Sequence, residues 1–469
     1  MDSNNPDLTQ RSHAALENNI LQGALKAATT TFIERRRDAI TSVSDWEALR
    51  QRARQVKEHT INNLDYYLEQ LVEKVRAHGG TVYWARTGED VSKYIIELAR
   101  ARGVKSVVKS KSMATEEIEL NHALEAADVW PVETDLGEYI IQLAHEKPSH
   151  IIVPAIHKTR SQISDLFEKE LKQGRPNEVA EITAMARKRL RNEFLSAQMG
   201  ITGGNFLIAE TGTIVVVENE GNIRLSTQVP KIHVAVVGIE KVIPRFEDLS
   251  VFLRLLPRSG TGQKQTAYVS FLNGPRQSAP ESGSEFHLVL MDNGRTGILA
   301  DEQMRESLYC IRCGACLNVC PVYQKIGGQA YGWIYPGPIG AVISPQLQSL
   351  KQSGDLPFAS SLCGACREAC PVDINLPDLL LALRAKSKES GAGKLSERAA
   401  MRGVAFVARR PRLFTFGGKL MRAFARLLAR DGKIKNAPMA PLSDWTEYRD
   451  LPGPRGSSFR ERWKKQRND

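Results

Sequence analysis

CIRCGACLNVCP (residues 310–321) and SSLCGACREACP (residues 360–371) hold every cysteine of this 469-residue chain. The seven thiols are Cys310, Cys313, Cys316, Cys320, Cys363, Cys366 and Cys370. Disulfides explain this pattern poorly, because the number is odd and a chain of this length buries enough apolar surface to fold without them. Two metal-binding stretches in a reducing, cytoplasmic compartment are therefore expected.

The spacing within these two cysteine blocks indicates iron–sulfur clusters. Cys-x-x-Cys pairs also build tetrahedral zinc sites, which is the alternative. The first block, however, has the run of bacterial ferredoxins, in which three close thiolates bind one cluster and the fourth binds the other. Gly314 and Gly364 lie inside the blocks, where the lack of a side chain lets backbone N–H groups approach inorganic sulfide. The sequence therefore favours two 4Fe-4S clusters over zinc.

Crossed ligation of this kind predicts which thiolates share a cluster. Cluster 1 receives the three close thiolates of the first block and the last thiolate of the second: Cys310, Cys313, Cys316 and Cys370. Cluster 2 receives the remaining three: Cys320, Cys363 and Cys366.

Cluster 2 lacks a fourth thiolate, because Ser360 stands three residues before Cys363, where a first cysteine belongs. The Ser360 hydroxyl, a water molecule or a ligand from elsewhere would complete a 4Fe-4S cluster. A 3Fe-4S cluster without that iron is another solution, and Ser360 as an ordinary loop residue is the alternative.

The composition is that of a globular protein with two or three domains, since 42% of the residues are hydrophobic and 25% are charged. The net charge of +11 is concentrated in residues 384–469, which hold 22 Lys and Arg against 8 Asp and Glu. The opening MDSNNPDLTQ has no charged-then-apolar leader, and no run approaches the roughly 18 apolar residues of a membrane span. Nucleic-acid binding is not expected, because the basic tail comes with no recognisable nucleic-acid module.

Before the cysteine blocks, the hydrophobic pattern predicts helices followed by an α/β domain. Residues 24–37 and 45–57 have a polar helical period. From residue 81, short β-branched runs alternate with amphipathic segments, which favours βαβ units and a parallel sheet. A long charged helix is predicted over 176–197. The predicted strands are 81–85, 104–110, 128–133 and 150–155, and the predicted helices are 89–102, 115–127, 136–146 and 161–172.

The later part of this domain predicts a hairpin and two further strands. NFLIAETGTIVVVENEGN, residues 205–222, has two β-rich runs separated by Glu210, Thr211 and Gly212. A buried strand is expected over 232–244 and another over 286–292, with a flexible insertion rich in Gly, Ser and Pro over 257–284. PDLLLALRAKSK, residues 377–388, predicts the exit helix of the cysteine module.

The basic tail contains an amphipathic helix within residues 403–430. Its apolar side is formed by Leu420, Phe424, Leu427 and Leu428, and its basic side by Arg422, Arg426 and Arg430. Such a helix is a candidate for peripheral contact with an anionic membrane at its inner face, or with an acidic partner. The alternative is a helix that packs on its own domain and leaves the arginines in water.

With both cysteine blocks and the runs NFLIAETGTIVVVENEGNIR and KIHVAVVGIEKVIP in one chain, the sequence resembles the lactate utilization protein B family. The resemblance extends to the tail DWTEYRDLPGPRGSSFRERW. It implies an α/β LUD domain with a sheet similar to those of sugar-phosphate isomerases, an α-helical two-cluster ferredoxin module and a basic helical tail. The boundaries expected are a helical arm over 1–60, the LUD domain over 61–298, the module over 299–385 and the extension over 386–469.

The family is implied to carry electrons in the oxidation of L-lactate to pyruvate. Two companion proteins are implied as partners, a cysteine-rich iron–sulfur subunit and a second LUD protein. Seven cysteines are also the family pattern, so Ser360 is no departure from it.

The LUD domain offers two candidate ligand-binding segments. Lys109, Ser110, Lys111 and Ser112 lie between a strand and a helix start, where cations and free N–H groups hold anions. Glu116 and Glu117 in that first helical turn already compensate the helix dipole, which is the opposing interpretation. The second candidate consists of turn residues, whose glycines also have a purely conformational explanation: Gly203, Gly204, Asn205, Glu210, Thr211 and Gly212.

No catalytic residue is predicted, although His157 and Glu210 are the nearest candidates for acid or base. An electron-transfer subunit is the leading hypothesis. The alternative is an enzyme whose own LUD domain oxidises a small hydroxy acid, but a G-x-G-x-x-G loop for a flavin or nicotinamide is absent. A redox sensor, with the incomplete cluster as its switch, is the third class.

Overall fold

A computed structural model describes residues 7–276, 283–390, 395–438, 442–454 and 456–468. The chain forms two compact units, Met1–Ala392 and Gly393–Asp469. None of the described helices combines the length and the apolar composition that crossing a bilayer needs.

The strands of the first unit are β1 (Thr81–Ala85), β2 (Ser106–Lys109), β3 (Trp130–Glu133), β4 (Met199–Thr202), β5 (Phe206–Ile208), β6 (Thr213–Glu218), β7 (Ile232–Gly238), β8 (Val242–Ile243), β9 (Tyr268–Leu272) and β10 (Glu285–Met291). The second unit has the short strands β11 (Lys433–Ile434) and β12 (Leu451–Pro452).

The helices up to β10 are α1 (Leu8–Glu17), α2 (Asn19–Thr41), α3 (Trp46–Asn62), α4 (Leu64–Ala77), α5 (Gly88–Ala101), α6 (Met113–Glu117), α7 (Leu120–Glu125), α8 (Leu136–Ala144), α9 (Arg160–Leu171), α10 (Val179–Ser196), α11 (Asn222–Gln228) and α12 (Leu249–Gly260). Those that follow are α13 (Arg295–Ala300), α14 (Ala315–Asn318), α15 (Tyr323–Ile326), α16 (Gly337–Leu347), α17 (Leu350–Ser353), α18 (Ala365–Ala369) and α19 (Leu376–Glu389). The second unit contributes α20 (Leu395–Ala408), α21 (Pro411–Leu428), α22 (Leu442–Tyr448) and α23 (Phe459–Asn468).

Six strands form a parallel sheet in the order β1-β10-β7-β4-β2-β3. Side chains alternate between the two faces of each strand, and in the central strands β4, β7 and β10 both sets are buried. In β7, Ala235 and Val237 enter one apolar cluster, whereas Val234 and Val236 enter another that includes Ile95 of α5. The sheet therefore lies between two layers, and all its carboxyl ends meet at one edge.

A second, mixed sheet has the order β8-β5-β6-β9 and contains the predicted hairpin of β5 and β6. The single strand predicted over 232–244 is divided, because a 3-10 turn at Ile239–Lys241 separates β7 from β8 and the two enter different sheets. The unpredicted β9 lies inside the expected insertion, of which residues 277–282 fall outside the described residues.

The strand predicted over 150–155 is wrong, because this stretch forms bends and turns. His150 Nδ1 accepts hydrogen bonds from the backbone N–H groups of Ile152 at 3.0 Å and Val153 at 3.2 Å. These local bonds replace a sheet ladder. The helix predicted over 115–127 is broken into α6 and α7 at Glu119, whose φ is 51°. The other predicted strands and helices of this domain are confirmed, with ends shifted by a few residues.

The helices α1 to α4 pack against both the sheets and the cysteine module. Leu49 and Leu71 share one apolar cluster with Leu207 of the small sheet and with Leu317 and Leu380 of the cysteine module. The expected exit helix is confirmed as α19. One core therefore runs from the N-terminal helices through the sheets into the segment that carries the cysteines.

In the second unit, α21 leaves large apolar side chains in water. Leu420 is 65% exposed, Phe424 56% and Leu427 83%. On another side of the helix, Arg422 Nη1 donates to Glu461 Oε2 of α23 at 2.8 Å.

Candidate metal centre and the adjoining cavity

The two cysteine blocks adopt the same local backbone conformation. Arg312 and Leu362, each one residue before a cysteine, have φ values of 60° and 55°. The next glycines, Gly314 and Gly364, have φ values of 75° and 87°, in the region that favours glycine. Each block is therefore a loop that turns back on itself and enters a short helix, α14 or α18.

Ser360 occupies in the second loop the place that Cys310 occupies in the first. The backbone N–H of Arg312 donates to Cys310 Sγ at 3.4 Å. The backbone N–H of Leu362 donates to Ser360 Oγ at 3.1 Å, two residues on in the same way. The serine hydroxyl is therefore held by the loop as the corresponding thiol is held.

The three close cysteines of the first block and the last cysteine of the second line one pocket: Cys310, Cys313, Cys316 and Cys370. Cys313, Cys316 and Cys370 are buried, and Cys310 is partly so. Burial raises the pKa of the Cys313 thiol to about 12, so a metal that binds here has to displace protons.

The remaining cysteines form a neighbouring group, in which Cys320 and Cys366 are as buried as the buried thiols of the first group. Burial, followed by the charge of Cys320, raises the pKa of the Cys366 thiol to about 11, and Cys363 contributes in the same direction. Cys363 itself is exposed. Cys316 and Cys366 interact electrostatically, so the two groups lie side by side.

The donor set of both groups fits an iron–sulfur cofactor. All the side-chain donors at the pocket are sulfur, which suits soft, thiolate-bound metals. Within the described ranges no three His, Cys, Asp or Glu side chains come close enough to hold a single metal ion. The residues present would hold a cluster through Cys310, Cys313, Cys316 and Cys370 at the enclosed pocket.

Arginines of α2 and α3 donate hydrogen bonds to backbone carbonyls of the second cysteine block. Arg36 Nη2 donates to the carbonyl of Ala369 at 3.0 Å. Arg50 Nε donates to the carbonyl of Cys370 at 2.9 Å, and its Nη2 bonds Asp373 Oδ1 at 3.2 Å. The N-terminal helices thus position Cys370 against the first block, more than 300 residues after Arg50 in the chain.

A cavity of about 1710 Å³, mouth included, lies at the carboxyl ends of the parallel strands and reaches the first cysteine block. Lys111 and Ser112 follow β2, Gly203 to Asn205 follow β4, Glu240 and Lys241 follow β7, and Arg295 follows β10. Arg312 and Tyr335 of the cysteine module close it. Crevices outside the carboxyl ends of such sheets are the usual ligand sites of α/β proteins.

A buried ion network joins the LUD sheet to the cysteine module at this cavity. Arg295 donates from Nη1 to Glu117 Oε1 at 2.9 Å and from Nη2 to Glu117 Oε2 at 2.8 Å. Its Nε bonds Glu240 Oε2 at 2.6 Å, and the Tyr335 hydroxyl donates to Glu117 Oε2 at 2.7 Å. Although burial raises it, the charges of Arg295, Lys241 and Arg312 lower the pKa of Glu240 to about 2.

A second stretch of the cavity lining is acidic. Glu218 Oε2 accepts from the N–H of Ile223 at 2.7 Å, and Glu220 Oε2 accepts from the N–H of Leu136 at 3.1 Å. Burial, followed by the charge of Asp135, raises the pKa of Glu220 to about 7. The two stretches of the lining therefore differ in charge.

The structure separates the four predicted anion-binding residues. Lys109 Nζ is buried between Glu133 Oε1 at 2.7 Å and Glu116 Oε1 at 3.0 Å, so its charge is already compensated. Ser110 is buried, whereas Lys111 and Ser112 line the cavity.

Glu116 and Glu117 also have different roles, because Glu117 does not compensate the dipole of α6 as expected. It bonds Arg295, while Glu116 remains in the first turn of α6.

The second candidate is divided in the same way. Gly203, Gly204 and Asn205 line the cavity. Gly212, with a φ of 66°, lies against α4, where a Cβ would be 2.7 Å from that of Lys74.

The two acid or base candidates lie elsewhere. Glu210 Oε2 accepts from the N–H of Phe246 at 2.9 Å. His157 Nε2 is 2.7 Å from Glu146 Oε2. Neither lines the cavity.

Sequence reasoning missed the charged residues that close the cavity: Glu240, Lys241, Arg295 and Arg312. The available signal was a charge inside an apolar run, as in the IEK of GIEKVIP and the arginine of CIRCGAC. Such a charge is costly to bury unless it has a partner or a ligand.

Three family models match the chain: a LUD domain over residues 68–291, a 4Fe-4S dicluster domain over 306–374, and the lactate utilisation protein B C-terminal domain over 384–468. Together with the cysteine groups, they define an iron–sulfur protein in which a LUD domain precedes a ferredoxin-type module.

Curated relatives match over nearly the whole length. Lactate utilization protein B of Bacillus licheniformis is 44% identical over 98% of this chain and 97% of that one. An uncharacterised electron transport protein of Escherichia coli is 45% identical over 99% of this chain and 97% of its own. The chain belongs to the lactate utilization protein B family.

Among solved structures, a DUF162 family protein from Deinococcus radiodurans matches 49% of this chain and 98% of its own, at 13% identity and a TM-score of 0.27. A likeness at that level supports no conclusion about this chain.

Proposed function

We propose that the protein is an iron–sulfur electron-transfer subunit that takes part in the oxidation of L-lactate to pyruvate. The observation that carries this proposal is the arrangement of the thiols in two adjacent groups, one enclosed and one with the exposed Cys363. Adjacent one-electron carriers suit the division of a two-electron oxidation into single steps. The names of the relatives support the lactate pathway and the electron-transport role.

Two clusters are proposed, with the crossed ligation that the ferredoxin spacing predicts. Cluster 1 is bound by Cys310, Cys313, Cys316 and Cys370. Cluster 2 is bound by Cys320, Cys363 and Cys366. The equivalence of Ser360 Oγ and Cys310 Sγ in their loops supports the serine hydroxyl as its fourth ligand.

Anaerobic purification followed by iron and sulfide analysis and electron paramagnetic resonance tests the cofactor. About eight irons per chain and two interacting signals after reduction with dithionite are expected for two 4Fe-4S clusters. A 3Fe-4S signal in the oxidised protein would remove Ser360 as a ligand. Bound zinc without iron would end the electron-transfer proposal.

Replacing Cys313 with alanine tests the pathway. Loss of cluster 1 and of growth on lactate is expected, with growth on glucose unchanged. The distant, exposed His122→Gln variant serves as a control that retains growth on lactate. Normal lactate growth of the Cys313→Ala strain would contradict the role.

The proposed setting is cytoplasmic, with a cysteine-rich iron–sulfur subunit and a second LUD protein as partners. The domains proposed are the helical region 1–60, the LUD domain 61–298, the iron–sulfur module 299–385 and the basic extension 386–469. The likeness of the LUD sheet to those of sugar-phosphate isomerases stays a prediction.

Peripheral membrane contact is proposed for α21, because its exposed apolar side chains accompany a row of arginines. Co-sedimentation of the full-length protein with anionic vesicles is expected, and it should weaken in high salt. Retention that is the same on neutral vesicles would contradict the electrostatic part of this contact.

The alternative function is oxidation of a small hydroxy acid by the LUD domain itself. The cavity that reaches the first cysteine block favours it. Purified protein that reduces an artificial acceptor with L-lactate, without either companion, would establish this alternative. Absence of turnover by the iron-loaded protein would exclude it.

A further inference from the structure

Arg312 has buried hydrogen-bond donors without acceptors. Its side chain is only 10% exposed, and among the described residues Nε and Nη1 have no hydrogen-bond partner. Arg312 also lines the thiol pocket beside Cys310, and its contacts include the Tyr335 ring, 4.7 Å below the guanidinium carbon, and Glu240 Oε1, 3.5 Å from Nη2. That separation is too long for a good hydrogen bond. Such buried donors require an acceptor, which a ligand in the cavity or a cluster in the thiol pocket would supply.

Among the described side chains, the cations on this wall outnumber the carboxylates: Arg295, Lys241 and Arg312 face Glu117 and Glu240. Glu117 is engaged by Arg295 in a two-pronged pair, and Glu240 receives its shortest bond from Arg295 Nε at 2.6 Å. Lys241, on the same wall, has only the shared Glu240 as a carboxylate partner within the described part of the chain. Burial, followed by the charge of Arg312, lowers the pKa of Lys241 to about 8. An anion placed between Arg312 and Lys241 would accept the free Arg312 hydrogen bonds and would compensate the charge of Lys241.

The acidic stretch of the lining restricts what kind of anion fits. Glu218, Glu220 and Asp135 line it, and Lys111 there is already paired with Glu138 at 3.0 Å, so a second negative charge is repelled. Hydroxyl or other donor groups are compatible with carboxylate neighbours, because an ionised carboxylate only accepts hydrogen bonds. A ligand with one carboxylate and a neutral polar end matches both stretches of the lining better than a phosphate with two charges.

We propose that this cavity binds a small monocarboxylate, whose anionic end pairs with Arg312 and Lys241. The guanidinium fork of an arginine matches a carboxylate geometrically, and the lysine adds a second charge. Arg312 lies between Cys310 and Cys313 in the first loop, so the ligand is held against the segment that would carry cluster 1. The redox consequence rests on the proposed electron-transfer function, whereas the binding itself does not.

The ligand and cluster 1 are coupled through charge. A carboxylate next to the cluster disfavours the addition of an electron, so the reduced protein binds the carboxylate more weakly than the oxidised protein does. By thermodynamic reciprocity, saturation with the ligand lowers the potential of cluster 1. A tenfold difference in affinity corresponds to a shift of about 59 mV for a one-electron couple.

Calorimetric titration of the full-length, anaerobically purified protein tests the site. Sodium pyruvate, sodium L-lactate and inorganic phosphate are titrated separately at constant ionic strength, with iron counted in every sample. Saturable binding of at least one of the two carboxylates, more tightly than phosphate, is expected. No carboxylate binding by protein that holds its iron overturns the proposal, and equal binding of phosphate overturns the assignment to a monocarboxylate.

Matched lysine variants locate the binding. Lys241→Met is expected to weaken carboxylate binding at least tenfold with the iron content unchanged. Lys264→Met removes an exposed lysine beside the cavity-lining Gln263 and is expected to bind as the unaltered protein does. An equal loss of carboxylate affinity in both variants would show that the anion does not bind at Lys241, and it would overturn the proposed site.

Arg312→Gln separates support of the cluster from binding of the ligand. Weaker carboxylate binding and a ligand-induced potential shift that disappears, with iron retained, are expected. A variant that loses iron but binds carboxylate normally would overturn the part given to Arg312. Carboxylate binding by a chain that holds no iron at all would leave the site intact and reject the proposed electron-transfer function.

Discussion

Ser360 and Cys310 show how one atom changes the chemistry of a loop whose backbone is already determined. The two loops share positive φ values at Arg312 and Leu362, and each places a backbone N–H against the side chain two residues earlier. A hydroxyl oxygen is a harder ligand than a thiolate, and it changes the net charge of a cluster when it replaces one. The second loop therefore has the backbone geometry of the first, with serine in the position of Cys310.

Replacing Ser360 separates the two roles of this residue. Ser360→Cys is expected to retain cluster 2 with an altered resonance signal and potential, because the ligand type at one iron changes. Ser360→Ala is expected to yield a 3Fe-4S signal in the oxidised protein. Electron paramagnetic resonance before and after reduction measures both, and Ser361→Ala, the neighbouring exposed serine, is the control. An unchanged cluster 2 signal in Ser360→Ala would mean that the hydroxyl is not a ligand.

His233 of β7 predicts a pH dependence of stability. Burial, followed by the charge of His287, lowers the pKa of His233 to about 3, whereas an unfolded chain has a histidine pKa of about 6.5. As the pH falls below 6.5, the unfolded chain takes up the proton first, so stability is lost toward pH 3. His233→Gln is expected to reduce this loss by about 1.4 kcal/mol between pH 7.5 and pH 5.5.

Urea unfolding of the iron-loaded protein at the two pH values measures this difference. His122→Gln, at an exposed position, is expected to behave as the unaltered protein does. The same pH-dependent loss in His233→Gln would show that this histidine does not resist protonation in the folded state.

At the scale of elements, α3 connects the LUD sheets to the second cysteine block. Its apolar side packs in the shared core, while three arginines at alternate positions bond two different parts of the first unit. Arg50 bonds the carbonyl of Cys370, and Arg54 bonds Glu306 of the cysteine module. Arg52 instead bonds Asp248 beside α12, on the LUD side. One helix thus sets the position of Cys370 relative to the first block.

Arg50→Gln is expected to destabilise the cysteine module by about 1–3 kcal/mol, because a charged donor to the Cys370 carbonyl is lost. Its iron content should fall, and iron release to a chelator should accelerate. Arg52→Gln on the same helix, whose arginine is 48% exposed, should retain iron as the unaltered protein does. Iron analysis during anaerobic incubation with the chelator measures both variants. Equal iron retention by the two would contradict the positioning role of Arg50.

At the scale of the whole first unit, the cavity, the enclosed thiols and the exposed Cys363 follow one another from the sheet edge to the surface. Arg312 belongs to the lining of both the cavity and the first thiol pocket, which makes those two neighbours. The second thiol group adjoins the first through Cys316 and Cys366. This order suits electron passage between an interior ligand and a partner protein at the surface.

The same order predicts which thiols are lost first when the protein meets air. Cys363, the exposed thiol, is expected to be alkylated first and the partly exposed Cys310 next, because oxidants reach exposed iron–sulfur ligands sooner than buried ones. Brief exposure to air, alkylation with iodoacetamide and mass spectrometry of the peptides would measure the sequence of events. Earlier alkylation of Cys313 or Cys316 would contradict the burial order.

Particular elements show where sequence reasoning succeeded. The apolar run at 286–292 predicted β10, because a strand buried on both faces is continuously apolar, whereas the β-branched and aromatic residues of 81–85 predicted the edge strand β1. The run at 150–155 is also apolar and β-branched but forms turns, since His150 binds nearby backbone N–H groups. Lys109 was a predicted anion ligand, but in the folded protein its ammonium group is paired with Glu133.

Cysteine spacing was sufficient to predict the iron–sulfur class, and hydrophobic periodicity was sufficient to predict an α/β fold with a parallel sheet. Cysteine spacing and strand periodicity are local properties, so a single stretch is enough to define them. Tertiary structure alone decided that Cys370 faces the first block, that Arg50 holds it, and that Arg312 closes a cavity built on the strands of the LUD domain. Those contacts join residues from tens to hundreds of positions apart, and their partners are set by how the helices and sheets pack.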